Sequence, residues 1–300
     1  MDYTKKQLTV YLLIAFGGGW ILQIAAALFA PSLFALALPV SAFAPLVGVA
    51  VAAGGLKTSQ CGVLWRLETR GRFRYFVLAW FGPIVLTALG AAVYFLVLPG
   101  DLDLSFSAAI NNVIQNGGTV TDGTIDGVPI SYAVFINCAQ AITYPPLLNG
   151  LFGLGEEVGW RGYLAPALAD RFGKRIGWLL SGALWGIWYA PAVIFNGYQY
   201  GTGYWGAPIT GVFLLCLFSA AQGVILSWLY EKSDCILVPS LFSGALSAAT
   251  TLPILFADAR VSTYLLGPVP SGLLGAVPIF LFAGAILLFD CEPAQAEEDY

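Results

Sequence analysis

Eight stretches of this chain are apolar over lengths that suit a membrane crossing: near 8–30, 33–55, 75–98, 130–154, 176–195, 207–230, 235–256 and 269–289. A helix needs about 20 such residues to traverse a ~30 Å hydrocarbon core. Lipid offers no partner for backbone N–H and C=O groups, so segments of this length cross as helices that satisfy those groups internally. The expectation is an all-α polytopic membrane protein of about eight transmembrane helices. Composition agrees: 10% of residues are charged, against roughly 25% in soluble domains, and the mean hydropathy is +0.79.

The charges predict an orientation. Lys5, Lys6, Lys57, Arg66, Arg70, Arg72, Arg74, Arg161, Arg171, Lys174, Arg175 and Lys232 all fall on one side of the expected spans, and only Arg260 falls on the other. The positive-inside rule then places both termini, and the acidic pair at 156–157, on the cytoplasmic side of the cell membrane. The segment 99–129 carries Asp101, Asp103, Asp122 and Asp126 with no lysine or arginine, and its Gly, Asn and Thr content suits an irregular or short-hairpin extracytoplasmic loop. No repeat or second domain is visible, so residues 1–300 form one membrane domain, with 290–300 as a solvated acidic tail. The apolar run after Met1–Lys6 is too long for a signal peptide and is expected to be an uncleaved first span.

A net charge of −4 with no concentrated basic surface excludes nucleic acid as a partner. Cys61, Cys138, Cys216, Cys235 and Cys291 show no paired spacing and are expected to be free thiols. Histidine is absent altogether, which removes the commonest metal ligand.

Against this background Gly155-Glu156-Glu157-Val158-Gly159-Trp160-Arg161 stands out. Ionisable groups in a membrane segment are costly and mark function by default. The plainer alternative is a helix end among lipid headgroups, with Glu157 and Arg161 paired at i,i+4. Span four, which precedes the pair, holds Asn137, Gln140, Thr143, Tyr144, Pro145, Pro146 and Asn149, and its two prolines predict a bend facing an interior cavity. After it, Val158, Trp160, Leu164, Ala167 and Leu168 are expected as the apolar stripe of an interfacial helix, with Arg161, Arg171, Lys174 and Arg175 on its other face. Counting the 1.5 Å rise from expected helix starts puts Tyr189 about 20 Å and Ser243 about 12 Å from the inner edge. Ser243 and Ser247 then share one helical face.

With these residues in place the chain resembles the CPBP family of intramembrane proteases, which includes the type II CAAX prenyl endopeptidases and proteins linked to bacteriocin self-immunity. The resemblance covers roughly residues 75–250. Its first motif, EExxxR, stands whole as Glu156-Glu157-Val158-Gly159-Trp160-Arg161, and the adjoining Arg171-Phe172-Gly173-Lys174, Trp188-Tyr189-Ala190-Pro191 and Gly197–Gly201 segments fit as well. The second motif, an aromatic followed four residues on by histidine, aligns with Trp185 and Tyr189. The third, histidine followed four residues on by asparagine or aspartate, aligns with Ser243 and Ser247. The resemblance implies a CAAX-protease-like bundle in which the glutamate activates water while the histidines hold a metal or stabilise the oxyanion. Here Tyr189, Ser243 and Ser247 replace those side chains.

Hydroxyls are poor substitutes for imidazole at a zinc-type site, so no metal and no other cofactor is expected. The expected role is a pseudoprotease that binds a membrane protein, a lipidated peptide such as a prenylated one, or membrane lipid. Glu156 as general base with Tyr189 as an oxyanion donor would instead make a histidine-free CAAX-type endopeptidase. Small hydroxyl residues four apart also serve as helix-packing positions, the plainer reading of Ser243 and Ser247. A small-molecule transporter is the third reading; it predicts helices broken at corresponding positions in two halves, and only span four reads as broken.

Overall fold

The structure, a computed structural model, describes residues 4–54 and 69–290. Thirteen helices appear among them: α1 Lys5–Phe29, α2 Phe34–Ser41, α3 Ala44–Ala52, α4 Phe73–Val97, α5 Ser107–Gln115, α6 Ile130–Ala141, α7 Pro145–Gly159, α8 Ala165–Phe172, α9 Lys174–Trp188, α10 Ala190–Asn196, α11 Ile209–Ser233, α12 Leu237–Ala249 and α13 Val277–Phe289. The protein is an all-α polytopic bundle. Six helical stretches among the described residues are long and apolar enough to cross a membrane, namely 5–29, 31–52, 73–97, 174–196, 209–233 and 237–256. The two remaining expected spans yield only shorter apolar helices, α6 and α13. The last span starts late because Pro268, Pro270, Gly272 and Gly275 disfavour regular helix before Val277.

Local chemistry explains the element ends. Thr4 caps α1: its hydroxyl accepts from the Gln7 amide at 3.2 Å and the Gln7 side chain accepts from the Thr4 amide at 3.2 Å, a reciprocal capping box. Span four breaks at its paired prolines as expected. Proline at 146 cannot donate to the carbonyl of Ile142, and the Trp80 indole N–H supplies that bond at 2.7 Å. Of the polar residues preceding Glu156, however, only Asn149 lines the interior cavity; Asn137, Gln140, Thr143 and Tyr144 are exposed.

Breaks are also more widespread than expected. The second span divides into α2 and α3 around Pro39 and Pro45, the fifth divides at Tyr189 ahead of Pro191, and the seventh ends in a 3₁₀ turn over Leu252–Phe256 containing Pro253. Each break coincides with a residue that lacks an N–H.

Of the two forms expected for the segment 99–129 the structure shows the short-hairpin one, with a helix added. The segment contains α5 and a three-stranded antiparallel meander, β1 Val120–Thr121, β2 Thr124–Ile125 and β3 Val128–Pro129. Both connections are Asp-Gly pairs with positive φ at each residue, 48° and 74° at Asp122-Gly123 and 48° and 81° at Asp126-Gly127. That is the geometry a tight two-residue hairpin requires. Cys138, Cys216 and Cys235 are free thiols; Cys61, Cys291 and residues 291–300 of the expected tail lie outside the described residues.

The core is built on α9 and α11. Gly182 and Gly186, one turn apart on α9, lie against the α11 backbone, so a Cβ at Gly186 would sit 2.6 Å from the Cys216 Cα. This is the small-xxx-small contact that lets membrane helices approach closely. Gly182→Leu is expected to cost about 1–3 kcal/mol by overpacking. It should lower the thermal midpoint in detergent, while Gly284→Leu, where nothing lies within 4 Å of an added Cβ, should leave it unchanged.

Candidate functional site

Glu156 and Glu157 lie in the last turn of α7, where the helix enters the bundle, and are 6% and 0% exposed. Being adjacent, they project about 100° apart and address different helices. Glu156 turns to α9. Its Oε1 accepts from the Tyr189 hydroxyl at 2.7 Å and its Oε2 from the Trp185 indole N–H at 2.7 Å. Glu157 turns to α12, where its Oε1 accepts from the Ser243 hydroxyl at 2.8 Å.

Arg161 follows one turn later. Its Nη1 donates to Glu157 Oε1 at 3.3 Å and its Nε lies 3.3 Å from Oε2. The guanidinium also packs over the Trp185 ring, 4.2 Å from its centroid, an arrangement that favours a planar delocalised cation. Here the sequence expectation is corrected. Arg161 is 1% exposed and does not share a solvent face with Arg171. At 3.6 residues per turn it lies in line with Glu157, Leu164 and Leu168 and is carried inward with them.

The backbone is specialised at the same point. Trp160–Leu164 forms a π turn between α7 and α8, and the Trp160 carbonyl accepts from the Ser181 hydroxyl at 3.1 Å. Such turns interrupt helices most often at functional sites. Residues 160–165, 167 and 168 are buried within the bundle, so only the end of α8, from Asp170, meets the surface as an amphipathic interfacial helix would.

Tyr189 sits at the α9–α10 break, and that break is held from α1. The Trp188 indole N–H donates to the Ala15 carbonyl at 2.8 Å, and the Trp20 indole N–H donates to the Trp188 carbonyl at 3.1 Å. These two bonds clamp the chain that presents Tyr189.

A cavity of about 280 Å³ opens beside Glu156. Phe152, Trp185, Tyr189, Tyr198 and Phe218 give it aromatic walls, and Asn149, Ser219, Gln222 and Ser247 add polar groups. Ser247 is exposed in the cavity wall, one turn beyond Ser243, rather than packed in a helix interface. The structure thus brings together all six expected residues: Glu156, Glu157, Arg161, Tyr189, Ser243 and Ser247. Sequence reasoning assigned no role to Gln222, Ser219 or Tyr198. Gln222 carried a signal, an amide in the middle of an apolar span, whereas Ser219 carried none.

The donor set does not fit a zinc-type ion. Glu156 and Glu157 point apart, Tyr189 and Ser243 already donate to them, and no group of three or more His, Cys, Asp or Glu side chains that could hold a metal occurs among the described residues.

A helical membrane bundle with a buried Glu-Glu-Arg constellation between three helices defines a CAAX-protease-like membrane protein. The profile of the Rce1-like family, type II CAAX prenyl endopeptidase, matches residues 140–249, which contain every residue of the constellation. The chain is also 25% identical over 210 residues to CAAX prenyl protease 2 of Methanococcus maripaludis, a match covering 69% of this chain and 65% of that protein. The match therefore spans just under two thirds of the archaeal relative's length. Over the matched stretch the chain is similar to the Rce1-like CAAX prenyl endopeptidases.

Proposed function

We propose that this protein is a pseudoprotease of its family, keeping the fold and the cavity and using them to bind a membrane protein, a lipidated peptide or a lipid without cutting it. One observation carries the reading. The side chains at the two histidine positions, Tyr189 and Ser243, are neutral hydroxyls that donate to Glu156 and Glu157. A hydroxyl holding a carboxylate in this way neither binds a metal as imidazole does nor passes a proton near neutral pH. Arg161 and Glu157 are retained to fix the π turn between α7 and α8. The protein lies in the cell membrane with both termini cytoplasmic, as the lysine and arginine distribution favours.

The test is cleavage of a prenylated CAAX-type peptide by purified protein in detergent. Wild type is expected to give none, and Tyr189→His with Ser243→His and Ser247→Asn is expected to gain it. Wild-type cleavage that persists in chelator and is lost in Glu156→Ala would overturn the reading in favour of a histidine-free glutamate protease. Removal of such a base typically costs ~10²–10⁴-fold in rate.

A further inference from the structure

We propose that the cavity beside Glu156 is a site for an organic ammonium ion. This deepens the binding role proposed above and rests on it, naming the group by which the ligand is held.

The charge balance of the site is the first argument. Two buried carboxylates face one buried guanidinium, and Arg161 spends both its Nε and its Nη1 on Glu157. Glu156 receives only neutral donors, the Tyr189 hydroxyl and the Trp185 indole. Each carboxylate oxygen accepts two hydrogen bonds, so both retain capacity toward the cavity. No lysine or arginine is among the described residues lining that cavity. A buried carboxylate that accepts from no cationic donor is costly, and a cation entering the cavity would supply one.

The walls decide what kind of cation. Metal ions of the harder sort take six or more oxygen ligands, carboxylates prominent among them, whereas among the described residues lining this cavity Glu156 is the one carboxylate and five side chains are aromatic. Phe152, Tyr198 and Phe218 offer π surface, and Tyr198 is stacked on Tyr189 with centroids 5.3 Å apart. Aromatic walls around one carboxylate suit a methylated or primary ammonium, whose charge is spread over apolar or N–H-bearing faces. Asn149, Gln222 and Ser219 supply oxygens for ammonium N–H groups.

Size sets the limit. A volume of about 280 Å³ lies just below the ~300–1,000 Å³ of sites for drug-sized ligands, so the cavity takes a headgroup-sized ion and not an acyl chain. Phe152, 41% exposed, and the exposed Ser247 line it, so the cavity opens to the exterior of the bundle. Through that opening either a free amine or the ammonium headgroup of a lipid would reach Glu156.

The experiment titrates choline and ethanolamine into full-length protein in maltoside detergent at constant ionic strength, followed by calorimetry and tryptophan fluorescence. The uncharged isostere 3,3-dimethylbutan-1-ol serves as comparison. Saturable binding of at least one amine is expected, with the isostere at least tenfold weaker, which is ~1.4 kcal/mol. Glu156→Gln and Tyr198→Leu are each expected to weaken the amine at least tenfold. The second variant keeps the test open should the first fail to fold. Displacement by short-chain phosphatidylcholine or phosphatidylethanolamine, but not phosphatidylglycerol, would identify a lipid headgroup as the source, and no displacement by any of them a soluble amine. Equal binding of amine and isostere, or no amine binding, would overturn the proposal. Peptide cleavage by wild type would overturn the pseudoprotease reading while leaving an observed ammonium site in place.

Discussion

Arg161→Ala is expected to lose about 3–5 kcal/mol of stability, the cost of stranding a buried charge whose partner has been removed. Glu157 is fully buried, and among the described residues its other hydrogen-bond donor is the neutral Ser243 hydroxyl at 2.8 Å. The same substitution also strips a cation from the face of Trp185, whose indole holds Glu156. Replacing both partners by uncharged side chains of similar volume, Arg161→Met with Glu157→Gln, is expected to recover most of the loss, since a buried pair swapped whole costs little. The measurement is a double-mutant cycle on thermal midpoints in detergent, built from Arg161→Met, Glu157→Gln and their combination, beside Arg161→Ala. An additive cycle would show that the two charges are screened from one another and would remove the pair as the anchor of the site.

Trp188→Ala is expected to cost a further distinct ~3–5 kcal/mol, as for other large-to-small changes of buried aromatics. Trp188 has no exposed surface, meets Trp160 and Tyr189 edge to face at 6.4 and 4.8 Å, and packs on the backbone of Gly19. Trp188→Phe keeps much of that volume but leaves the donor to Ala15 missing, a loss of about 1–3 kcal/mol. The two variants together separate packing from hydrogen bonding. Equal midpoints for Phe and Ala would place all of the contribution in the indole N–H.

Much of this architecture was legible in the residues. Apolar runs of spanning length marked the long helices, and the prolines at 145 and 146 marked the break before Glu156. The motif spacing brought out Glu156, Glu157, Arg161, Tyr189, Ser243 and Ser247, which meet in the structure although 86 residues separate Glu157 from Ser243. Hydrophobic count alone overstated the last span, because length in residues says nothing about whether glycine and proline allow a helix. The burial of Arg161 was available from the 3.6-residue period and was hidden by grouping it with its charged neighbours. The hairpins at Asp122-Gly123 and Asp126-Gly127 likewise had a local signal in the Asp-Gly pairs. The cavity was signalled only through the proline-broken span four and its outline was not: its walls come from α2, α7, α9, α11, α12 and two loops, and only tertiary packing brings Phe218 and Phe152 into one wall.

The indole bonds that tie Trp188 to Ala15 and Trp20 to Trp188 reach outside the stretch matched by the family profile, which begins at residue 140. Ala42 and Pro45, against which Gly155 and Gly159 are seated, lie outside it too. The portion carrying the recognisable chemistry is therefore not a self-sufficient unit. Grafted alone into another bundle, residues 140–249 would bring the acids and the arginine but leave behind the wall that aims them, so the first two spans belong to the site as much as its motifs do.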